Sequence, residues 1–567
     1  MRAIALSALA LACAGGGLQP ANPLADPRVA YTIRRADSTT LSISLTATGL
    51  PVAAPLIARL ENWGEWTSAP FAYLHGLLVD GRPAALDSTG ATRVPGDLLA
   101  DGRLEVRYDL TVPRLGSVQH EARRLLPYRT DRHLFGFVSN TLMGFLVDTV
   151  PLPASATIRI VAQPGDDVFT GWGGFAAGTS PLPVPGVPFD NAVFAIGRPT
   201  GRTTADSGVQ VAQFRDGPDS TAIVASAARS LIAAYSAALG RGPRQTMRIL
   251  VEGQEGGGTY TDHGMVVNGL SVELLAHELF HDWLGGRLKG DESLVWFSEG
   301  FTDYFSLWHA AALGLVPRDR FGQRMLEVEA RARAGSLGRI AFADSGVRWR
   351  DGNGPNETMA YRGGSLLAFA VDAELRRRGT GTAHALIRRL LEIAPRPYRL
   401  ADIRDAFASL GLSALYRQSV AGRQMPPVLP VLVELGFDQT EEQAALTYLG
   451  IEARLDRTDS MDVVPAVVTA LDSAGPAAKA GLRVGDRITG YGDRRGNPPQ
   501  RGPGAPERYL WALNVIPSGA RSVTLEVERD GTVRKIDVAP VLTRGGRRVQ
   551  VRWRAGTFFE PETTRTN

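Results

Sequence analysis

Residues 271 to 284 read Ser-Val-Glu-Leu-Leu-Ala-His-Glu-Leu-Phe-His-Asp-Trp-Leu. In an α-helix, residues four apart share a face, so His277 and His281 can reach one metal ion. Glu278, one step round the helix, is then placed to hold a water at that metal and take its proton. Leu274, Leu275, Leu279 and Leu284 form an apolar stripe, which predicts a buried helix. Two imidazoles and a carboxylate buried without partners are costly, and a metal removes that cost. An amphipathic helix with a polar His/Glu face would explain the five-residue match as well, so the downstream sequence has to decide.

Eighteen positions after His281 comes Glu299, in Trp296-Phe-Ser-Glu-Gly-Phe-Thr-Asp-Tyr-Phe305, a second helix start able to supply a third ligand. Asp303 follows one helical turn later, where a carboxylate can accept the free N–H of a ligand histidine and fix its tautomer. Two imidazoles and one carboxylate, with a fourth position left to water, describe a catalytic site for one zinc ion per chain. The metal is inferred from ligand type, since cobalt or manganese suits the same donors.

At 567 residues the chain is too long for one core and predicts about three or four domains. An apolar share of 44% and a charged share of 21% are those of an ordinary globular protein. Net charge is only +4, with arginines scattered among acids, so no nucleic-acid groove is expected. Residues 1–25 read as a secretory signal: Met1-Arg2, an apolar stretch from Ala3 to Ala14, then a Gly/Pro spacer. Export to a bacterial periplasm or medium is therefore expected. Cys13, the one cysteine, follows Ala10-Leu11-Ala12 and loosely resembles a lipoprotein cleavage box. A lipid anchor there is the alternative to its removal with the signal. No other segment approaches 18 consecutive apolar residues, so no membrane span is expected after the signal. With one cysteine, no disulfide is expected.

Period-two alternation dominates from Val29 to Ala162, which predicts an N-terminal antiparallel β-sandwich over 27–205. A helix from Ser220 to Leu239, a strand Thr246–Glu252, the glycines 256–258, an edge strand near Met265–Leu270 and then the metal helix follow. That order predicts a thermolysin-like α+β catalytic lobe, with a helical part completing 206–440. Near Phe437 the composition changes. Val467 to Ile488 carries a short helix ending at Gly481 and a Gly485-Asp486 turn, a pattern specific for a PDZ domain over 446–545. Tyr448-Leu449-Gly450-Ile451 would be its carboxylate loop, holding a peptide C-terminus beside an exposed strand edge. A PDZ fold that only packs against the lobe is the other reading. Residues 546–567 read as a polar, poorly ordered tail.

Together these modules resemble the glycyl-aminopeptidase family of PDZ-containing gluzincin zinc metallopeptidases. The resemblance rests on His277-Glu-Leu-Phe-His281-Asp-Trp, Trp296-Phe-Ser-Glu299-Gly-Phe and Tyr361-Arg-Gly-Gly-Ser-Leu-Leu-Ala-Phe-Ala-Val-Asp372; Arg132 to Val138 also looks familial. It implies zinc-dependent cleavage of a peptide or protein substrate, with Glu278 as general base. It also implies that Tyr361, opening a helix past the glutamate ligand, donates to the oxyanion of the tetrahedral intermediate. One departure stands out. Family members carry Gly-Gly-Leu-Glu-His before the edge strand, and the glutamate grips the substrate's α-amine. This chain has Gly256-Gly257-Gly258-Thr259-Tyr260-Thr261-Asp262-His263 instead. Gly256, Gly257, Gly258, Asp262 and His263 are the candidate substrate contacts, with Asp262 or Glu255 left to receive the amine. Aminopeptidase action is the first expectation. An endopeptidase, or a PDZ-based peptide-binding envelope protein with a weak or inactive lobe, is the alternative. His75, His120, His133, His309 and His384 read as isolated surface or core residues.

Overall fold

The computed structural model describes residues 27–560 except 52–54, 61–69, 115–126, 149, 153, 177–181, 185–191, 204–207, 253–257, 335–340, 345–357, 456–465, 493–521 and 540. The expected signal and Cys13 lie outside the described residues. Two compact units divide between Arg198 and Pro199.

In the first unit, buried and exposed positions alternate through Arg28–Arg35, Thr40–Thr48 and Arg103–Thr111. The pleat sends alternate side chains to opposite faces, so Ile33, Leu41, Ile43, Leu45, Leu104 and Val106 fall into one core. A seven-stranded sheet holds these strands, and sheets of four and five strands contribute to the same core. The expected two-layer antiparallel sandwich is corrected on one point. Arg28–Arg35 pairs parallel with Ser155–Val161. Parallel neighbours need a long crossover, which the intervening strands supply.

The second unit starts from a five-stranded sheet ordered Gly201–Arg202, Val209–Gln213, Met247–Glu252, Gly264–Asn268, Gly258–Thr261. The first two neighbours of Met247–Glu252 run parallel to it, and the helix Thr221–Leu239 makes the crossover. That helix is long and apolar enough to cross a membrane by length and composition, yet Val224, Ala228, Leu231 and Tyr235 are buried in the core. It ends at Gly240, whose φ of 68° is the left-handed conformation a helix C-terminus favours in glycine. The expected edge strand at 265–270 is corrected: Gly264–Asn268 lies inside the sheet, and Gly258–Thr261 takes the edge. A two-residue turn at Asp262-His263 folds one onto the other, with Gly264 at φ 93° completing it.

Helices follow: the metal helix Val272–Phe280, the ligand helix Val295–Ala312, then Arg318–Ala334, Gly364–Arg377, His384–Leu391 and Leu400–Ser409. The ligand helix is locked to Gly364–Arg377 by the Tyr304 hydroxyl, which donates to Asp372 Oδ2 at 2.7 Å. Asp372 also accepts from Arg376 Nε and from the Ala383 main-chain N–H, both at 2.7 Å.

The chain leaves this helical part along Phe437–Tyr448 and returns along Val541–Trp553. These form an antiparallel ribbon from Phe437↔Trp553 to Tyr448↔Val541. The expected polar tail from 546 is therefore corrected. Val549, Val551 and Trp553 carry a period-two signal among the arginines that composition alone obscures. Beyond the strand, Phe558 and Phe559 are buried in the helical core. Trp308 of the ligand helix donates its indole N–H to the Phe558 carbonyl at 3.2 Å. Phe558→Ala is expected to cost about 3–5 kcal/mol. Urea unfolding followed by tryptophan fluorescence would show the lowered midpoint, and an unchanged midpoint would contradict this packing. Between the ribbon strands lies a separate five-stranded sheet, Ile451–Leu455 through Thr532–Val538, with its own core of Leu449, Val468, Leu482, Ile488, Leu525 and Val527.

Candidate metal centre

Ser271 caps the metal helix, its hydroxyl accepting from the Leu274 N–H at 3.2 Å. The helix buries Leu275, Ala276, Leu279 and Phe280, while Leu274 is only partly buried. Tyr235 of the crossover helix donates its hydroxyl to the Ala276 carbonyl at 2.9 Å, which ties the metal helix to the crossover helix. His281 is the C-cap residue and keeps right-handed dihedrals, so its relation to His277 remains that of one helical turn.

The Nε2 atoms of His277 and His281 are 3.0 Å apart, and each is 3.4 Å from Glu299 Oε2. Asp303 Oδ1 lies 2.8 Å from His277 Nδ1, and the Leu284 carbonyl lies 3.0 Å from His281 Nδ1. Both of those oxygens only accept, which assigns a proton to each Nδ1 and leaves each Nε2 a lone pair. Two Nε2 atoms and a carboxylate oxygen thus converge on one point, an arrangement that calls for positive charge there, from a metal or from protons on the imidazoles. Tetrahedral donors at about 2.0–2.1 Å from zinc lie roughly 3.3 Å from one another. The observed triangle fits that spacing, and two imidazoles with a carboxylate fit zinc's donor preference.

Electrostatics point the same way. Burial opposes charge on His277, but hydrogen bonds to Asp303 and Glu299 outweigh it and raise its pKa well above the ordinary imidazole value. His281 is raised too, the Glu299 charge overcoming burial. Burial would raise the Glu299 carboxyl, yet His281 and His277 hold it well below the usual carboxylate range. The cluster favours positive charge at its centre. Asp303→Asn keeps the shape and removes the charge behind His277. It is expected to weaken zinc binding by about 10–100-fold, read by chelator competition; unchanged affinity would remove Asp303 from the site.

Glu278 faces the edge strand. A Cβ on Gly258 would fall 2.6 Å from Glu278 Oε1, so glycine there lets the strand lie against the carboxylate. The Tyr260 main-chain N–H donates to it, and burial raises its pKa despite the two imidazoles. The Tyr361 ring is stacked on His277 at 6.2 Å between centroids, tilted by 24°. It sits in a π-helical turn, Thr358–Gly363. Such turns insert one extra residue and recur at functional sites.

Gly256 and Gly257 lie outside the described residues, as does Glu255. Asp262 is already neutralised by Arg244 Nη2 at 2.6 Å and Lys289 Nζ at 2.7 Å, which leaves no spare charge there for a substrate amine. His263 is in the hairpin turn, its main-chain N–H donating to Thr261 Oγ1 at 3.1 Å. Sequence reading missed the network behind the strand. The buried Asp282 carboxylate accepts from the Tyr260 hydroxyl at 2.8 Å and from the Arg244 N–H at 2.9 Å, while Arg244 Nη2 donates to the Tyr260 oxygen at 2.5 Å. Asp282 follows His281 directly, so the network ties the edge strand to the end of the metal helix. Its one sequence signal was an ionisable residue beside a ligand.

His309 and His384, expected to be isolated, form a buried pair with Nε2 atoms 2.9 Å apart. Burial lowers both, His384 to about 3, so the pair is neutral. His133 is buried with Nδ1 2.9 Å from Thr130 Oγ1, His75 is exposed, and His120 lies outside the described residues. In the small module, Tyr448 ends the ribbon strand and Gly450 has φ 77°. The Leu449 and Gly450 carbonyls accept from the Ala477 and Asp472 N–H groups, each at 3.0 Å. Ile451–Leu455 is the edge strand of its sheet among the described residues.

No protein-family model and no curated protein matches the chain. Among solved structures, an aminopeptidase N family protein from Idiomarina loihiensis is similar over 92% of this chain and 98% of that one, with TM-score 0.62 and 16% identity. The fold is similar to that of this aminopeptidase N family protein. An M1 zinc metallopeptidase from Deinococcus radiodurans, bound to a Tyr-Ser-Ala substrate, covers 71% of this chain and 94% of its own at 16% identity and TM-score 0.45. Yeast LTA4 hydrolase with bestatin covers 73% and 71% at 13% identity and TM-score 0.46. At those two scores the likeness carries no argument. The fold shared with that Idiomarina loihiensis protein covers a β-rich N-terminal region and a helical C-terminal region.

Proposed function

We propose that this chain is a zinc-dependent metallopeptidase. The observation that carries the reading is the convergence of the His277 and His281 Nε2 atoms and the Glu299 carboxylate, with Glu278 alongside. His277, His281 and Glu299 would hold the zinc, with Asp303 fixing the tautomer of His277. When bound, zinc supplies a Lewis acid that polarises a carbonyl and makes water a nucleophile at neutral pH. Glu278 takes the proton of the attacking water and returns it to the departing amine. Tyr361 donates its hydroxyl to the carbonyl oxygen as negative charge develops there. The edge strand Gly258–Thr261 would align an extended peptide beside Glu278.

Aminopeptidase action is the first reading, supported by the fold likeness to an aminopeptidase N family protein. Endopeptidase action is the second, favoured by the ion-paired state of Asp262. A mixed peptide pool digested with the full chain and read by mass spectrometry separates them. Loss of single N-terminal residues supports the first, internal cuts support the second, and no zinc-dependent cleavage overturns both. The small five-stranded module would be a PDZ domain, with Tyr448 to Ile451 receiving a peptide C-terminus. The reading as an exported protein, with a lipid at Cys13 as its anchored form, rests on residues 1–25.

A further inference from the structure

Two glycines on neighbouring helices touch where the site is assembled. Gly300 follows the ligand Glu299 inside the ligand helix, and Gly364 lies three residues after Tyr361, at the start of the next helix. A Cβ on Gly300 would strike the Gly364 Cα and lie 2.5 Å from its carbonyl carbon and 2.7 Å from the Ser365 nitrogen. A Cβ on Gly364 would strike the Trp296 carbonyl oxygen and lie 2.9 Å from the Gly300 Cα. Every one of these neighbours is main chain, so nothing can swing aside. Neither glycine has positive φ, so the backbone conformation does not demand glycine at either position. A helical glycine costs about 1 kcal/mol relative to alanine. The close approach is the physical return on that cost.

We propose that Gly300 and Gly364 are positioning residues that set the distance between Tyr361 and the metal ligands. Helix separation follows the side chains at the contact, and here there are none. The Tyr304–Asp372 hydrogen bond pins the same two helices further along, so the pair cannot slide. Just before the glycine contact, on the side away from that bond, the π-helical turn carries Tyr361 over His277. A methyl group at either glycine pries the helices apart and withdraws Tyr361, while His277, His281 and Glu299 remain on their own two helices. This inference rests on the peptidase reading, with Tyr361 as the oxyanion donor.

The test is a double-mutant cycle on the zinc-loaded full chain. Gly300→Ala, and separately Gly364→Ala, are expected to lower kcat about 10–100-fold with KM little changed and one zinc per chain retained. Tyr361→Phe is expected to lower kcat by about 10²–10³-fold. In the Tyr361→Phe background either alanine should add less than about threefold, because the group it displaces is gone. Calorimetry with a phosphinic pseudopeptide, a tetrahedral anion, gives a second readout. The alanine variants should weaken its binding only when Tyr361 is present. Additive losses, or alanine variants that lose zinc or fail to fold, overturn the positioning role. Near-normal turnover in Tyr361→Phe alone would instead overturn the donor role on which it rests.

Discussion

Glu278→Gln is expected to lower turnover by about 10²–10⁴-fold while zinc stays at one ion per chain. The side chain is almost fully buried against the edge strand, and its oxygens lie outside the triangle of Nε2 and Oε2 atoms that would hold the ion. Glutamine has the same shape, and its amide oxygen can still accept the Tyr260 N–H. What disappears is the capacity to take a proton. Burial strengthens the case, since it raises the Glu278 carboxyl above the usual range and so makes it a better base than a solvated glutamate. Turnover is read on whichever peptide the pool digest identifies, and zinc by elemental analysis of the same sample. Undiminished cleavage would remove Glu278 from the chemistry; lost zinc would show that it acts on the metal rather than on the water.

Much of this centre was legible because its parts are local. His277, Glu278 and His281 share one helical turn, Glu299 and Asp303 share another, and period 3.6 sets both. The structure adds the relation between the turns, which depends on how two helices pack and has no local pattern. Tyr260 shows the limit. Its type and its place near the loop were visible, but its bond to Asp282 depends on the hairpin at Asp262-His263, and that turn shifted the edge from 265–270 to 258–261. Asp262 looked available in sequence and is held by Arg244 and Lys289, from 18 positions earlier and 27 later. The C-terminal strand was missed for a different reason. Arginines dominate its composition, while the apolar partners of Val551 and Phe558 come from segments more than a hundred residues away. His309 and His384 are 75 positions apart and meet only because the helices carrying them pack together.

His281→Ala is expected to take zinc from one ion per chain to near zero and to abolish cleavage. Removing a group that only supports a ligand costs about 10–100-fold in affinity, so removing a ligand should cost more than Asp303→Asn does. The loss is chiefly of a ligand rather than of bonds to the rest of the fold. His281 makes one side-chain hydrogen bond outside the cluster, to the Leu284 carbonyl. Without its imidazole, Glu299 and His277 remain as a two-point contact, and a doubly protonated His277 can donate from Nδ1 to Asp303 and from Nε2 to Glu299 as an ordinary ion pair. The convergence of acceptors is then relieved and the demand for a cation goes with it. Two measurements separate this from general damage: elemental analysis for zinc, and the unfolding midpoint of variant and wild type after chelation. Equal midpoints with no zinc in the variant support the ligand assignment. A variant that retains one zinc would place the ion elsewhere in the chain.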